Sequence, residues 1–213
     1  MVLSVFGAPV TSETLKGMPK YANKTTTRLE RAREALNNQN ANGKADQAAK
    51  IVDQLKEKYG DGPSTKCMIY NATGDKVTFV LSHDYHGHIY DMSPYPVEIE
   101  NGQWGAFLHV HSSGAAVGSS AAVVYHGLNN DDEGRDWCLS WITPWSSVLY
   151  NNYAYAEVRE TDHYYTDRWD YINSLMEKAG QTHVDKWGGC VSKGTIGSGT
   201  TVYYTGIMTL EGA

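Results

Sequence analysis

The sequence predicts a mainly β protein: a β-sandwich flanked by short α-helices. Short segments in which apolar and polar residues alternate recur from about residue 65 to the end of the chain. Turn signals rich in Gly, Asn and Asp separate them. Two segments with helical spacing precede these strands, and a third interrupts them near residues 166–179. Regularly spaced short strands with turns between them are typical of a sandwich or barrel.

The first 60 residues are predicted to be an arm followed by helices. Residues 1–24 lack any periodic pattern, which indicates an irregular arm. Thr27 and Glu30 have the spacing of a capping box, in which each side chain accepts a hydrogen bond from the backbone N–H of the other residue. A second helix is predicted from Ala45 to Lys58, so that residues 25–60 form a helical N-terminal segment.

The remaining chain, residues 65–213, is predicted to form the sandwich, and residues 1–213 a single domain. A strand pair flanks the turn Asn71–Asp75, and a loop is predicted at His83–Tyr90. The further strands are predicted at residues 103–110, at Ala115–Tyr125, on both sides of residues 144–152, at Lys186–Lys193 and at Thr200–Leu210.

The aromatic residues are densest in Trp137–Val158. Proline cannot donate to a sheet ladder, so Pro144 ends the first of its two strands. We expect the strand residues Trp137, Trp141 and Tyr155 to lie in the core. Since loops lie at the surface, we expect Trp145, Tyr150 and Tyr153 to be exposed.

Composition excludes several classes of protein. With 41% hydrophobic and 20% charged residues, the chain is globular rather than disordered. The net charge is −6, and the sequence contains no cluster of four or more Lys and Arg. This excludes typical nucleic-acid binding and attraction to anionic lipid through a basic patch. A membrane-spanning helix is not predicted, because no run of 18 apolar residues occurs.

The N-terminus and the cysteines favour an intracellular origin. The segment MVLSVFGAPV lacks the basic flank and the length of a secretory signal. Three widely spaced cysteines, Cys67, Cys138 and Cys190, fit reduced thiols better than a disulfide framework. We therefore expect synthesis without a signal peptide, in the cytoplasm of the producing cell.

We expect neither catalysis nor a cofactor. His109 and His111 have a spacing that allows two metal ligands, but no carboxylate follows at a recognisable distance. The pairs Ser112–Ser113, Ser119–Ser120 and Ser146–Ser147 lack the G-x-S-x-G elbow of a nucleophile. The sequence therefore predicts no metal site and no enzyme.

The order and spacing of these segments resemble the actinoporin-like β-sandwich proteins over residues 45–213. Lys66–Phe79 resembles their first strand pair, and Thr143–Tyr153 resembles their segment of proline, tyrosine, asparagine and aromatic residues. Tyr204–Ala213 resembles their closing strand. Within this group the chain is most similar to fungal lipid-raft-binding proteins of the nakanori kind. Plant 23 kDa jasmonate-induced proteins share the motifs GQWGAFLHVH and HGHIYD, found here at Gly102–His111 and His86–Asp91.

The resemblance implies a pocket for a phosphocholine headgroup. It would be formed by Pro144, Tyr150 and His86, with Ser120 in its lining. The resemblance does not fix the register of the helix that follows the aromatic strand. Its candidates are Tyr165, Trp169 and Tyr171. A phosphate also needs hydroxyl or positively charged donors, for which Tyr150, Tyr165, Arg168 and His86 are available, although an arginine at such a position is more often a solvated helix residue. The aromatics expected to contact the membrane are Trp145, Tyr153 and Tyr164. Ile142, Ala154 and His86 depart from the family pattern.

The resemblance further implies peripheral binding of sphingomyelin together with cholesterol on the outer surface of target membranes. The helix at 45–58 has an apolar face made mostly of alanine. A helix that inserts into a membrane needs a larger one, so we expect binding without efficient pore formation. The alternatives are a carbohydrate-binding lectin on a related sandwich, a pore-forming cytolysin and a stress-associated interaction protein. The oligomeric state stays open.

Overall fold

Two β-sheets pack face to face in the computed structural model, which describes residues 4–213. The strands of the first sheet are β1 (Val5–Phe6), β2 (Ser64–Ala72), β4 (His88–Ile89), β6 (Trp104–Val110), β10 (Thr182–Trp187), β11 (Cys190–Ile196) and β12 (Thr201–Leu210). Their order in the sheet is β1-β6-β2-β12-β11-β10, and β4 also pairs with β6. Only the β12–β2 pair in this sheet is parallel.

The second sheet is antiparallel and has the order β5-β3-β7-β8-β9. Its strands are β3 (Val77–His86), β5 (Glu98–Ile99), β7 (Ser119–Leu128), β8 (Gly134–Thr143) and β9 (Tyr153–Glu160). The core between the sheets includes Phe107, Trp137 and Trp141, which are fully buried. The expectation that Trp137, Trp141 and Tyr155 are buried is confirmed.

Helices cover the outer faces of both sheets. The four α-helices are α1 (Ser12–Lys16), α2 (Arg28–Asn37), α3 (Lys44–Tyr59) and α4 (Trp169–Ala179). Short 3₁₀ helices lie at Pro19–Tyr21, Ala41–Gly43 and His163–Tyr165. The first three helices pack on the first sheet, and α4 packs on the second. Among residues 4–213, no helix is both long enough and apolar enough to cross a bilayer.

Local sequence signals predicted the N-terminal helices well. The capping box of Thr27 and Glu30 is present at the start of α2. The helix predicted at Ala45–Lys58 is α3, one residue longer at each end. Val52 and Leu55 of its apolar stripe are buried.

The prediction of an irregular arm at residues 1–24 was wrong in part, because three short regular elements interrupt the segment; residues 1–3 lie outside the described residues. Val5 and Phe6 pair with Gly105 and Trp104 as β1, and α1 and a 3₁₀ helix follow. Such short elements depend on pairing with distant residues, so they leave no periodicity in the sequence. The segment is part of the packed structure.

The loop predicted at His83–Tyr90 is also different. β3 continues to His86 in the second sheet, and β4 begins at His88 in the first. Gly87 lies between them with φ +90°. Glycine adopts this backbone conformation without strain, and it lets the chain pass from one sheet to the other.

The strand predicted at Lys186–Lys193 is a hairpin of two strands, β10 and β11. Gly188 and Gly189 form its turn, with φ values of +56° and +77°. A two-residue turn with both φ angles positive matches the twist of the flanking strands. The Gly188–Gly189 pair was a turn signal in the sequence, but the alternating pattern on both sides of it was interpreted as one strand.

Candidate functional site

A cavity of about 560 Å³ opens at one end of the second sheet. Its floor lies where β3 ends, β7 begins and β8 ends. There, His86 pairs with Ser120, and Ser119 pairs with Thr143. Ser120 and Thr143 are buried, whereas His86 is exposed at the rim.

The segment before β7 forms one wall of the cavity, through Ala116, Val117 and Gly118. A Cβ atom on Gly118 would lie 2.0 Å from the carbonyl oxygen of Thr143. Only glycine therefore fits where this segment crosses the end of β8. The close crossing brings the wall against Pro144, on the opposite side of the same opening.

The loop between β8 and β9, residues 144–152, forms the second wall. The N–H of Tyr150 donates to the carbonyl of Ser146, which closes one turn. Asn152 holds the loop down: its side-chain amide donates to the carbonyl of Gly199 and accepts from the Gly199 N–H, both at 2.9 Å. Trp145, Tyr150 and Asn151 therefore line the cavity from a loop that Asn152 anchors, and Tyr153, the first residue of β9, lines it beside them.

The tip of this loop carries apolar side chains in solvent. Val148 is 92% exposed and Leu149 is 73% exposed. Tyr150 and Trp145 are 64% and 46% exposed, and Tyr153 is half-buried, so the expected exposure of the loop aromatics is confirmed for the first two and partial for Tyr153. Neighbouring exposed apolar side chains are typical of an interaction surface.

The third wall is the C-terminal half of α4, which contributes Asn173 and Glu177. These residues are four apart and so share one helix face. Ile172 and Met176, about 100° away around the helix, bury the neighbouring side of α4 against the second sheet. The hydroxyl of Tyr85 donates to the carbonyl of Trp169 at 2.9 Å, which fixes the start of the helix.

The polar groups around the opening are free to bind a ligand. Within residues 4–213, the side chains of Tyr150, Asn151, Asn173 and Glu177 make no hydrogen bond to protein. Polar groups of a pocket that converge without protein partners are typical of a binding site. The combination of carboxylate and aromatic rings suits a small group that carries a positive charge.

The structure gathers six of the predicted site residues around this cavity. His86, Ser120, Pro144 and Tyr150, from the predicted headgroup pocket, line it together with Trp145 and Tyr153, which were predicted to contact a membrane. Their ligand roles remain predictions, because no ligand is present.

The other predicted pocket residues lie elsewhere. Tyr165 and Tyr171 are exposed but do not line the cavity. The ring of Trp169 stacks on His83, with 4.8 Å between centroids and 4° between the planes. Arg168 is bound to the carbonyl of His163 and the hydroxyl of Thr166. The aromatic side chains of the first turn of α4 therefore do not reach the opening. The following turns contribute Asn173 and Glu177 to it.

Tyr164 was predicted to contact the membrane, and this is wrong. Its side chain is 2% exposed. Its hydroxyl donates to the Glu157 carboxylate at 2.8 Å, under α4. Burial raises the pKa of this hydroxyl, so Tyr164 stays protonated as a donor.

Sequence reasoning missed Asn173, Glu177, Val148 and Leu149. Val148 and Leu149 are adjacent aliphatic residues in an otherwise polar and aromatic loop, a signal that was available. Whether Asn173 and Glu177 point toward the cavity depends on which side of α4 packs on the sheet. Contacts with residues distant in sequence decide this.

Ser119, His109 and Asp84 form a chain that resembles a hydrolase triad. The hydroxyl oxygen of Ser119 lies 2.8 Å from Nδ1 of His109, and Oδ1 of Asp84 lies 3.2 Å from Nε2. Ser119 is fully buried, however, and its oxygen also lies 2.8 Å from the Thr65 hydroxyl. Burial lowers the pKa of His109. A nucleophile needs access to substrate, so this network serves to join strands β2, β3, β6 and β7.

His109 and His111 do not converge as metal ligands. His111 packs against the rings of Tyr59 and Trp145, at 6.0 and 5.9 Å between centroids. In the part of the chain that the structure describes, no three His, Cys, Asp or Glu side chains cluster to hold a metal ion.

Comparisons with a family model, with curated proteins and with solved structures all point to the same family. The family model described as Nakanori-like protein matches residues 6–211. The chain is 44% identical over 211 residues to the 23 kDa jasmonate-induced protein of Hordeum vulgare, covering 98% of each. It is 28% identical over 145 residues to the jasmonate-induced protein homolog of Atriplex canescens, covering 64% of this chain and 77% of that protein.

The crystal structure of the lipid binding protein Nakanori is similar, with a TM-score of 0.86 and 30% sequence identity. The match covers 96% of this chain and 98% of Nakanori. It confirms the predicted β-sandwich, while the identity shows that the chain is a relative of Nakanori and not that protein. Two of the relatives come from plants, which confirms the predicted similarity to plant jasmonate-induced proteins. The protein belongs to the Nakanori-like family.

Proposed function

We propose that the protein binds the surface of lipid membranes and recognises there the phosphocholine headgroup of sphingomyelin together with cholesterol. One observation carries the proposal. The exposed apolar side chains of Val148 and Leu149 stand directly beside a cavity with aromatic walls and free polar groups. The first feature suits the apolar part of a bilayer, and the second suits a headgroup.

The loop tip supplies affinity for the bilayer. Burying an exposed Val or Leu side chain in an apolar environment contributes about 1.5–3 kcal/mol. Trp145 lies at the base of this tip, and tryptophan prefers the headgroup level of a membrane. The loop is held by Asn152, so it reaches the membrane already ordered.

The cavity supplies recognition. Its volume of about 560 Å³ is ample for one headgroup. A trimethylammonium group forms no ordinary hydrogen bonds, and each aromatic face that it contacts contributes roughly 0.5–2 kcal/mol. Tyr150, Tyr153 and Trp145 offer such faces. The hydroxyls of the two tyrosines, the Asn151 amide and the His86 ring can donate to the phosphate.

The relatives support lipid as the ligand class. Nakanori, which has the same fold over nearly its whole length, is described as a lipid binding protein. The requirement for cholesterol rests on the resemblance to raft-binding proteins. We include in the proposal that the protein acts at the outer surface of target membranes, without catalysis and without efficient pore formation.

The test is sedimentation with vesicles of sphingomyelin and cholesterol, compared with vesicles of phosphatidylcholine and cholesterol. We expect selective sedimentation with sphingomyelin vesicles. Because both lipids carry phosphocholine, this selectivity rests on the resemblance to raft-binding proteins and not on the cavity. Tyr150→Ala should lower the affinity at least tenfold, since it removes one ring and one hydroxyl from the cavity. The double variant Val148→Ser/Leu149→Ser should lose binding to the bilayer.

Tyr165→Ala is the matched control, because Tyr165 is 65% exposed, as Tyr150 is 64% exposed, yet lies outside the cavity. It should bind like the unmodified protein. Equal losses in the two tyrosine variants would move the site away from the cavity. Sedimentation with neither membrane would overturn the proposal and turn attention to sugars as ligands.

A further inference from the structure

The charge of the cavity is a feature that the predicted phosphocholine pocket did not include. Among the described residues that line the cavity, Glu177 is the one carboxylate, and none is Lys or Arg. Arg168, one of the available phosphate donors, does not line the cavity, and its Nε donates to the His163 carbonyl and the Thr166 hydroxyl. The chain as a whole has a net charge of −6. The opening therefore repels a bare anion.

The position of Glu177 strengthens this effect. It is exposed at the mouth of the cavity, in the last turn of α4, where the partial negative charge of the helix C-terminus adds to that of the carboxylate. Lys178 in the same turn offsets part of this charge but does not line the cavity. Asn173, one turn earlier, presents an amide to the same opening. Across the opening stand Tyr150, Tyr153 and Trp145, whose ring faces also attract cations.

We propose that Glu177, assisted by Asn173, is the specificity-determining counter-ion of the site. It requires a headgroup in which an ammonium group follows the phosphate, and it excludes headgroups that end in phosphate. This inference rests on the proposed function and deepens it. In this assignment, α4 binds the ammonium group of the headgroup. The loop between β8 and β9 provides aromatic faces and the contact with the bilayer.

The same geometry ranks two ammonium headgroups by their dependence on Glu177. A trimethylammonium group meets the carboxylate through charge alone. A primary ammonium group also donates N–H hydrogen bonds to it, and such charge-assisted bonds are roughly twice as strong as neutral ones. Both headgroups bind the site, but the contribution of Glu177 is larger for phosphoethanolamine than for phosphocholine.

The experiment uses vesicles of cholesterol with one of three sphingolipids: sphingomyelin, ceramide phosphoethanolamine or ceramide 1-phosphate. The unmodified protein should sediment with the first two and not with the third. Glu177→Gln should weaken binding about threefold on sphingomyelin and about tenfold or more on ceramide phosphoethanolamine. Glu177→Lys should abolish both and gain binding to ceramide 1-phosphate, a gain that a misfolded protein cannot show.

Glu211→Gln is the matched control, since it makes the same charge change on an exposed residue beside the β10–β11 turn, at the opposite end of the sandwich. It should leave all three affinities unchanged. Equal losses in Glu177→Gln and Glu211→Gln, or strong binding of ceramide 1-phosphate by the unmodified protein, would overturn the inference. Binding to sphingomyelin that Glu177→Gln does not alter would overturn it and leave the proposed function intact. Absence of binding to every vesicle would overturn the proposed function itself.

Discussion

Glu157 shows how single residues hold the site together. Its carboxylate is fully buried beneath α4. It accepts hydrogen bonds from the hydroxyl of Tyr155 at 2.7 Å and of Tyr164 at 2.8 Å, and it pairs with Arg159 at 3.0 Å. A buried carboxylate is tolerated only when donors surround it. The cluster thereby fixes the chain just before α4, which carries Asn173 and Glu177.

Tyr164→Phe tests this role against the membrane contact that the sequence predicted. The change removes one hydrogen bond to a buried charged group, which typically contributes about 1.5–3 kcal/mol. We expect the free energy of unfolding, measured by urea denaturation, to fall by that amount. The affinity for sphingomyelin vesicles should stay within twofold, since Tyr164 does not reach the surface.

Tyr165→Phe is the control for that measurement. Tyr165 is exposed, and within residues 4–213 its hydroxyl has no hydrogen-bond partner in the protein. Its stability should therefore be unchanged. A Tyr164→Phe variant that is as stable as the unmodified protein but fails to bind vesicles would restore the membrane role.

At the scale of elements, the sequence was informative wherever the signal is local. The Thr27–Glu30 capping box and the alternation that ends at Pro144 each lie within a few residues, and both elements are where the sequence placed them. The resemblance assigned His86 and Ser120 to one pocket but placed His86 in a loop, whereas in the structure His86 ends β3 and pairs with Ser120 of β7.

The face of α4 was not predictable in this way. Tyr165, Trp169 and Tyr171 are as aromatic as a headgroup pocket requires, and nothing in their spacing says which side meets the sheet. That choice depends on distant contacts: the Tyr85 hydroxyl with the Trp169 carbonyl, and Tyr164 with Glu157. The helix presents Asn173 and Glu177 instead, so the cavity is more acidic and less aromatic than the resemblance implied.

Helix α3 is the element on which pore formation would depend. Val52 and Leu55 are buried against the first sheet. Asp53 pairs with Lys66 at 2.9 Å and accepts from the Tyr203 hydroxyl at 2.7 Å. At its start, the buried Lys44 ammonium donates to the Tyr70 hydroxyl and the Gly102 carbonyl. Detaching α3 would expose the apolar residues beneath it and break all of these contacts.

We therefore expect binding without leakage. Vesicles of sphingomyelin and cholesterol that contain a fluorescent dye should retain it at protein concentrations that saturate sedimentation with the same vesicles. The reason is that α3 gains little in a bilayer, because its apolar stripe is narrow and begins with Ala48. Dye release at concentrations that only just saturate binding would show that α3 leaves the sheet and would favour the cytolysin alternative.

At the scale of the molecule, side chains join the two sheets along one side of the sandwich. The N–H of Val158 in β9 donates to the Asp185 carboxylate of β10 at 3.0 Å, and Arg159 donates to the same carboxylate at 2.6 Å. Nδ1 of His183 lies 2.9 Å from the Ala156 carbonyl. These contacts cover the edge of the second sheet, which would otherwise expose unpaired backbone groups. The cavity between β7, β8 and α4 is thus built on two sheets that these contacts hold together.

The net charge of −6 makes the response to salt a test of the whole proposal. A sphingomyelin and cholesterol membrane is neutral overall, so the acidic protein meets no net surface charge there whose effect salt could screen. We expect sedimentation with these vesicles to change less than about twofold between about 0.05 and 0.5 M NaCl. Adding an anionic lipid should weaken binding at low salt, and raising the salt should restore it, because the repulsion between the acidic protein and the anionic surface is then screened. Binding that is strengthened by anionic lipid and lost at high salt would instead indicate a basic contact surface, which neither the composition nor the cavity provides.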